Sequence, residues 1–179
     1  QNARNTAGTH STPLALAEKT HPDRKVVTAA YMEIKGWMDA RRLVSAVSYE
    51  QACMQLWRDI DSLLHDVLLD RVLVLGTEEF MYPALLTAGQ IAQNAREVWF
   101  HATTRSPIAV FNDCGYPLHV RYELCSLYDK NRRTFIYDIG SYDTVLIITD
   151  AHNEQREGIA SLIQAAADKN KRIYVIRWC

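Results

Sequence analysis

Residues 71–76 read Arg-Val-Leu-Val-Leu-Gly. Four apolar residues in a row, Val72 to Leu75, show no alternation and stop at a glycine. A strand with one wet face would alternate, so this run has the form of a parallel strand covered on both faces. The residues downstream agree with that reading. Pro83 suits the first turn of a helix running to about Ala95, with Leu85, Leu86, Ala88, Ile91 and Ala92 turned inward. A second strand spans Glu97 to His101. Thr144 to Thr149 is another buried run, and Asn153 can cap the helix after it, whose apolar face is Ile159, Leu162, Ile163 and Ala166. Arg172 to Trp178 closes the chain as a strand. Between these units, residues 117–124 and 133–139 alternate apolar with polar. They predict antiparallel strands with one wet face, paired across the Asp129-Lys130-Asn131 turn. The order β-α-β-(β-β)-β-α-β predicts an α/β fold: a mostly parallel sheet flanked by helices, with a β-hairpin insertion.

Upstream of residue 71 the rhythm is helical. Ser48 followed by Gln51 has the spacing of a capping box, and Cys53, Leu56, Trp57, Ile60, Leu63, Leu64 and Val67 line one face. Residues 27–38 place Val27, Ala30, Tyr31, Ile34, Trp37 and Met38 at helical spacing. Residues 1–25, rich in Thr, Ser, Asn, His and Pro, read as a linker or tail, leaving 26–179 as the domain. The tryptophans at 37, 57, 99 and 178 read as core.

Bulk properties exclude several classes. The chain has 179 residues, enough for one domain, and 48% hydrophobic residues, enough for a core. A net charge of −1 argues against nucleic acid as the main partner, because phosphate backbones demand a basic surface. The basic clusters at 130–133 and 169–172 read as solvated rims. The four cysteines have no CxxC spacing, which points to a reduced, cytoplasmic setting. Cys114, alone in its loop, reads as incidental. The six histidines form no HxH or HxxxH pair, so no metal site is expected. No apolar run approaches the roughly 18–20 residues of a membrane span. Residue 1 is glutamine, as in a processed chain or a piece of a longer one.

Ligands of open α/β sheets bind beyond the carboxyl ends of the parallel strands. Three polar loops should leave such ends: Gly76-Thr77-Glu78-Glu79-Phe80, Ala102-Thr103-Thr104-Arg105-Ser106 and Asp150-Ala151-His152-Asn153-Glu154. The guanidinium of Arg105 can hold an oxyanion through two parallel hydrogen bonds, with Thr77, Thr103, Thr104, Ser106 and Asn153 as further ligand-binding candidates. Glu78, Glu79 and Asp150 suit sugar hydroxyls or a divalent cation. A nucleotide or phosphosugar asks for both sets. The plain alternative is that Arg105 pairs with a neighbouring acid, that Glu78 and Glu79 are a solvated pair at a helix start, and that His152 faces solvent. As catalytic candidates, Asp150 and His152 are the acid and base that an independent enzyme would use. No cofactor is fixed by these residues; Mg2+ carried with a phosphorylated ligand is the one the carboxylates would admit.

The segment Val145-Leu-Ile-Ile-Thr-Asp-Ala-His-Asn-Glu-Gln-Arg-Glu-Gly158, followed by a helix and Arg172-Ile-Tyr-Val-Ile, resembles the diphosphoribosyl-binding stretch of type I phosphoribosyltransferases. More specifically, Thr104-Arg105-Ser106-Pro107, with Gly76 to Ala84 and Leu127-Tyr128-Asp129, resembles the TRSP domain. That domain lies C-terminal to a phosphoribosyltransferase domain in bacterial tellurite-resistance and stress-response gene clusters. The resemblance implies an upstream phosphoribosyltransferase domain as partner and a role in making a nucleoside-like metabolite.

The chain departs from the type I pattern at two points. Its paired acids appear as Thr149-Asp150, and the Thr/Gly-rich phosphate loop is replaced by Asn153-Glu154-Gln155-Arg156-Glu157. Small residues are needed there so that the backbone can close around a phosphate. A like-charge contact at ~4 Å costs about 4 kcal/mol at an effective dielectric of 20, or about three decades in affinity. Ordinary diphosphoribosyl binding is therefore expected to be lost. The expectation is an assisting, ligand-binding domain with little catalysis of its own. A non-catalytic docking or homodimerisation module is the alternative.

Overall fold

The computed structural model describes residues 29–152 and 156–179. Five strands form one all-parallel sheet: β1 (Ala30–Ile34), β2 (Arg71–Gly76), β3 (Glu97–Ala102), and two later strands, Thr144–Thr149 and Ile173–Trp178. Between β3 and these last two lies an antiparallel hairpin, β4 (Arg121–Cys125) and β5 (Arg133–Tyr137), so the later strands are β6 and β7. The helices are α1 (Ala46–Leu63), α2 (Tyr82–Ile91) and α3 (Arg156–Ala167). The sheet order is β1-β7-β6-β2-β3.

Side chains alternate across each strand, and both faces of β2, β6 and β7 are apolar because both are covered. Val72, Val74, Leu146, Ile148, Ile176 and Trp178 pack with Cys53, Leu56, Ile60, Ala84, Ala88 and Ile91 on α1 and α2. Leu73, Leu75, Val145, Ile147 and Val175 pack with Leu162, Ala165 and Ala166 of α3 and with Tyr122, Leu124 and Ile136 of the hairpin. The molecule is thus three-layered, and the α/β expectation with a hairpin insertion holds. Two glycines permit close packing. A Cβ on Gly76 would sit 3.0 Å from the Phe80 carbonyl oxygen, and one on Gly158 of α3 only 2.5 Å from that of Ser126.

Four local expectations are corrected. Residues 30–34 are a strand, not part of a helix over 27–38; residues 27 and 28 lie outside the described set, as does the 1–25 segment. Here tertiary pairing overrides a helical spacing, since β7 would otherwise expose its outer row of amides, and β1 pairs with it from Ala30↔Tyr174 to Ile34↔Trp178. Gly36, at φ 99°, then turns the chain in a way helix propagation forbids. The N-cap of α1 is Ser45, whose hydroxyl accepts the Ser48 N–H at 3.0 Å, so Ser48 lies inside the first turn. The expected wet face of β5 is closed: Thr134, Phe135 and Ile136 are all buried, with Ile136 in the core and the Arg121 guanidinium 5.4 Å from the Phe135 ring centroid, while Thr104 pairs with the Phe135 backbone at the strand's edge. Of the four tryptophans only Trp178 is fully buried, while Trp37 and Trp99 are 41% and 50% exposed.

Candidate functional site

Parallel strands put their carboxyl ends on one edge, so the loops after β2, β3 and β6 share that edge. From neighbouring β2 and β6 the chain departs to opposite faces, through α2 and α3. The gap between them is the switch point where such sheets bind ligands.

A polar cluster fills it. The Thr77 hydroxyl donates to that of Thr149 at 2.9 Å, and the Tyr128 phenol lies 2.7 Å from Thr77. Tyr128 donates to Asp150 Oδ1 at 2.6 Å. The other carboxylate oxygen accepts from Arg41 Nη1 at 3.1 Å and from the Trp37 indole N–H at 3.3 Å. The Asp150 side chain is 3% exposed. Burial, and then the Asp150 charge, raise the Tyr128 pKa well above its ordinary value, so the phenol stays a donor. For Arg41, burial works against the charge, but Asp150 outweighs it and the pKa is raised. The same guanidinium lies 5.8 Å from the Tyr128 ring centroid, within cation–π range.

The sequence candidates divide into groups. Thr77 and Asp150 belong to this cluster. Glu78 is buried with φ 49°, held by a tight turn in which Thr77 and Phe80 exchange backbone bonds. Its carboxylate accepts from Ser126 Oγ at 2.5 Å and pairs with Arg132 at 2.9 Å. Its N–H donates to Thr103 Oγ1 at 2.9 Å, so Thr103, also buried, braces the turn. Glu79 points the other way and pairs with Arg105 at the exposed rim. Thr104 bridges to Phe135 and accepts the Ser106 N–H at 3.2 Å, while Tyr137 donates to the Ser106 carbonyl at 2.7 Å and accepts from the Ile108 N–H at 2.7 Å. This explains why a strand leaves through Thr-Thr-Arg-Ser-Pro: one threonine braces the neighbouring turn, the next docks the hairpin, and the arginine faces out. His152 is exposed, and Asn153 lies outside the described residues. Arg105 and Asp150 share no partner among the described residues.

Beside the cluster, on the α3 face, is a pocket of about 440 Å³ lined by Tyr31, Glu33, Thr149, His152, Arg156, Arg177 and apolar neighbours. Arg177 pairs with Glu33 across β7 and β1. Sequence reasoning gave no site role to Arg41, Arg156 or Arg177, and it read Trp37 as core. Tyr128 was visible in Leu127-Tyr128-Asp129, but its role was not.

A resident Mg2+ does not fit these residues. Both oxygens of Asp150 are held by donors, Glu79 is paired with Arg105, and Glu78 is paired with Arg132. Among the described residues no group of three or more His, Cys, Asp or Glu converges on one point. Among the same residues no helix is long and apolar enough to cross a membrane.

A family model described as the TRSP domain, C-terminal to a PRTase_2 domain, matches residues 43–166. The match includes the 76–84 loop, Thr104 to Pro107, Leu127-Tyr128-Asp129 and Asp150. No curated protein sequence matches the chain. Among solved structures it is similar to the APRTase from Giardia lamblia complexed with 9-deazaadenine, at 14% identity, over 73% of this chain and 82% of that one, with a TM-score of 0.41. The family model covers well over half of the 179 residues, and the chain belongs to the TRSP domain family.

Proposed function

We propose that this domain binds a nucleotide or phosphosugar at the carboxyl edge of its sheet and assists an upstream phosphoribosyltransferase domain. The product would be a nucleoside-like metabolite of a bacterial tellurite-resistance or stress pathway in the cytoplasm. The observation that carries the reading is convergence: hydroxyls, guanidiniums and carboxylates from separate loops gather at the switch point and along its rim. Arg105 would contact phosphate, helped by hydroxyls of the same loop, and Glu79, the exposed acid of the three, would contact a sugar hydroxyl. Little standalone catalysis is expected, because Asp150 is sealed beneath Tyr128, Arg41 and Trp37.

Thermal unfolding against ribose 5-phosphate, nucleoside monophosphates and pyrophosphate tests this. A ligand at a hundred times its Kd stabilises by about 2.7 kcal/mol, which in a domain of this size raises Tm by roughly 5–10 °C. Arg105→Ala should remove most of that rise. No rise with any of these compounds would end the ligand reading.

A second reading, docking onto the upstream domain or homodimerisation, is favoured by the exposed apolar side chains at the starts of α1 and α2, Leu43, Val47, Met81, Tyr82 and Leu85. It requires a complex with the phosphoribosyltransferase domain, or a dimer, by light scattering, weakened by Leu85→Glu.

A further inference from the structure

β3 is an edge of the five-stranded sheet, bonded on one side to β2. The direction of its amides follows from the bonds at its ends. Glu97 and Thr103 donate to Asp70 and Gly76 on the β2 side, while Thr104 exchanges bonds with Phe135 on the other. Alternation therefore turns the N–H and C=O groups of Val98, Phe100 and Ala102 away from β2. The hairpin takes that side at Thr104, just beyond Ala102. Val98 and Phe100, further from it, have no backbone partner there among the described residues.

Edge strands are ordinarily protected by lysine, proline, a bulge or a covering element. Glu-Val-Trp-Phe-His-Ala has none of the first three: it runs in unbroken register with β2, and its one charge, Glu97, is paired with Arg71. Trp99 is half exposed and belongs to neither core cluster. Its indole is nevertheless held in place, donating to Glu97 Oε1 at 2.6 Å. Beside it lies a hollow of about 490 Å³ whose walls include Trp99, His101, Pro117, Leu118, Tyr137 and Tyr142. No lysine or arginine lines this hollow. Rings and aliphatic carbon suit an aromatic side chain there, not an anion.

We propose that β3 pairs antiparallel with β3 of a second copy about a two-fold axis at Trp99, joining two sheets into one and seating the indole of each copy in the hollow of the other. In that register Val98 of one copy and Phe100 of the other exchange both backbone bonds, twice over, so the free amides serve each other. Trp99 stands opposite itself at a non-hydrogen-bonded position, where facing side chains come closest. Glu97 faces the imidazole of His101 across the axis. An axis at Phe100 would instead call on Ala102, beside the hairpin, and set Trp99 against His101. This self-match favours a second copy over an unrelated strand. The inference is independent of the ligand reading, and it gives the homodimer of the second reading a surface other than the starts of α1 and α2.

The test is sedimentation of the full 179-residue chain over a range of concentrations, with two kinds of variant. The chain should run as a dimer that dissociates on dilution. Trp99→Lys sets like charges face to face at the centre of the contact and should raise the dimer Kd roughly tenfold or more, with the far-ultraviolet circular dichroism unchanged. Residues opposed at a non-hydrogen-bonded position lie about 4.5 Å apart at Cα, within the span of a disulfide. With the exposed Cys114 and Cys125 replaced by serine, Trp99→Cys should therefore crosslink under oxidised glutathione, and His101→Cys, displaced from the axis, should not. A chain that is monomeric at every concentration would overturn the proposal. A dimer that survives Trp99→Lys but yields to Leu85→Glu would overturn this edge and leave the second reading standing. Crosslinking through His101→Cys and not through Trp99→Cys would overturn the axis at Trp99.

Discussion

The middle of the sheet's carboxyl edge and its β1 end are built from the same residue types and use them in opposite ways. In the middle, every acid is met from within: Glu78 by Ser126 and Arg132, Asp150 by Tyr128, Arg41 and Trp37. The result is a clasp that ties the β2 turn and the β6 end to the hairpin connection at 126–132. At the β1 end one guanidinium keeps a buried donor unmet, and the space beside it stays open. Unmet buried atoms occur at both places, Glu78 Oε2 and Arg132 Nε in the middle and Arg177 Nε at the β1 end. The presence of arginine and glutamate does not separate the two; the open space beside Arg177 does.

The comparison predicts its largest stability effect at Glu78. Its side chain is 1% exposed and its partner Arg132 is 30% exposed. Breaking a buried pair by deleting one member costs about 3–5 kcal/mol, since the surviving charge is stranded. Arg132 retains some water, so Glu78→Ala should cost about 3 kcal/mol in urea denaturation. If the stranded charge is the cause, Glu78→Ala combined with Arg132→Met should recover about half of it. Equal losses in the single and double variants would mean that the turn, not the charge, was broken.

Tyr128→Phe comes next. It removes one hydroxyl and leaves the ring in place, so the cation–π contact with Arg41 survives. Asp150 Oδ1 and the Thr77 hydroxyl lose a partner, and each buried group left unmet costs about 1–3 kcal/mol. A destabilisation of about 2 kcal/mol is expected. Because burial and Asp150 hold the folded-state phenol above its ordinary pKa, Tyr128 contributes stability fully present below the unfolded value of about 10 and lost as pH rises through the folded one. The variant should therefore lose less stability than the wild type between about pH 9 and 11. Parallel curves would remove Tyr128 from the clasp.

How much of this was legible depends on what each signal measures. Val72 to Leu75 and Thr144 to Thr149 declare strands covered on both faces through uninterrupted hydrophobicity, a local property, and so they were readable along with the helices beside them. The loops that share an edge were readable too, because parallel topology alone puts them there. Glu78 and Glu79 show the limit. They are adjacent and chemically identical, yet a turn with φ 49° at Glu78 sends one inward and the other out. Nothing in the local sequence states the sign of that angle. Likewise Arg41 and Arg177 meet their partners over separations in sequence that no period encodes. The strand at 30–34 was hidden because its partner, β7, lies at the other end of the chain.

The smallest stability effect belongs to the exposed ion pair at the rim. Arg105 and Glu79 are 55% and 56% exposed, and an exposed ion pair contributes about 0–1 kcal/mol, less at high salt. Arg105→Ala should therefore change stability by under about 1 kcal/mol, and 0.5 M salt should erase the difference from the wild type. The rest of the loop should hold, since Thr103, Thr104 and Ser106 are anchored by their own bonds to the β2 turn and the hairpin. A loss of 2 kcal/mol or more would show that Arg105 belongs to the clasp. A negligible change in stability together with a lost ligand response would instead set the rim apart from the clasp as a place kept for binding, because it can give up its partner at little cost to the fold.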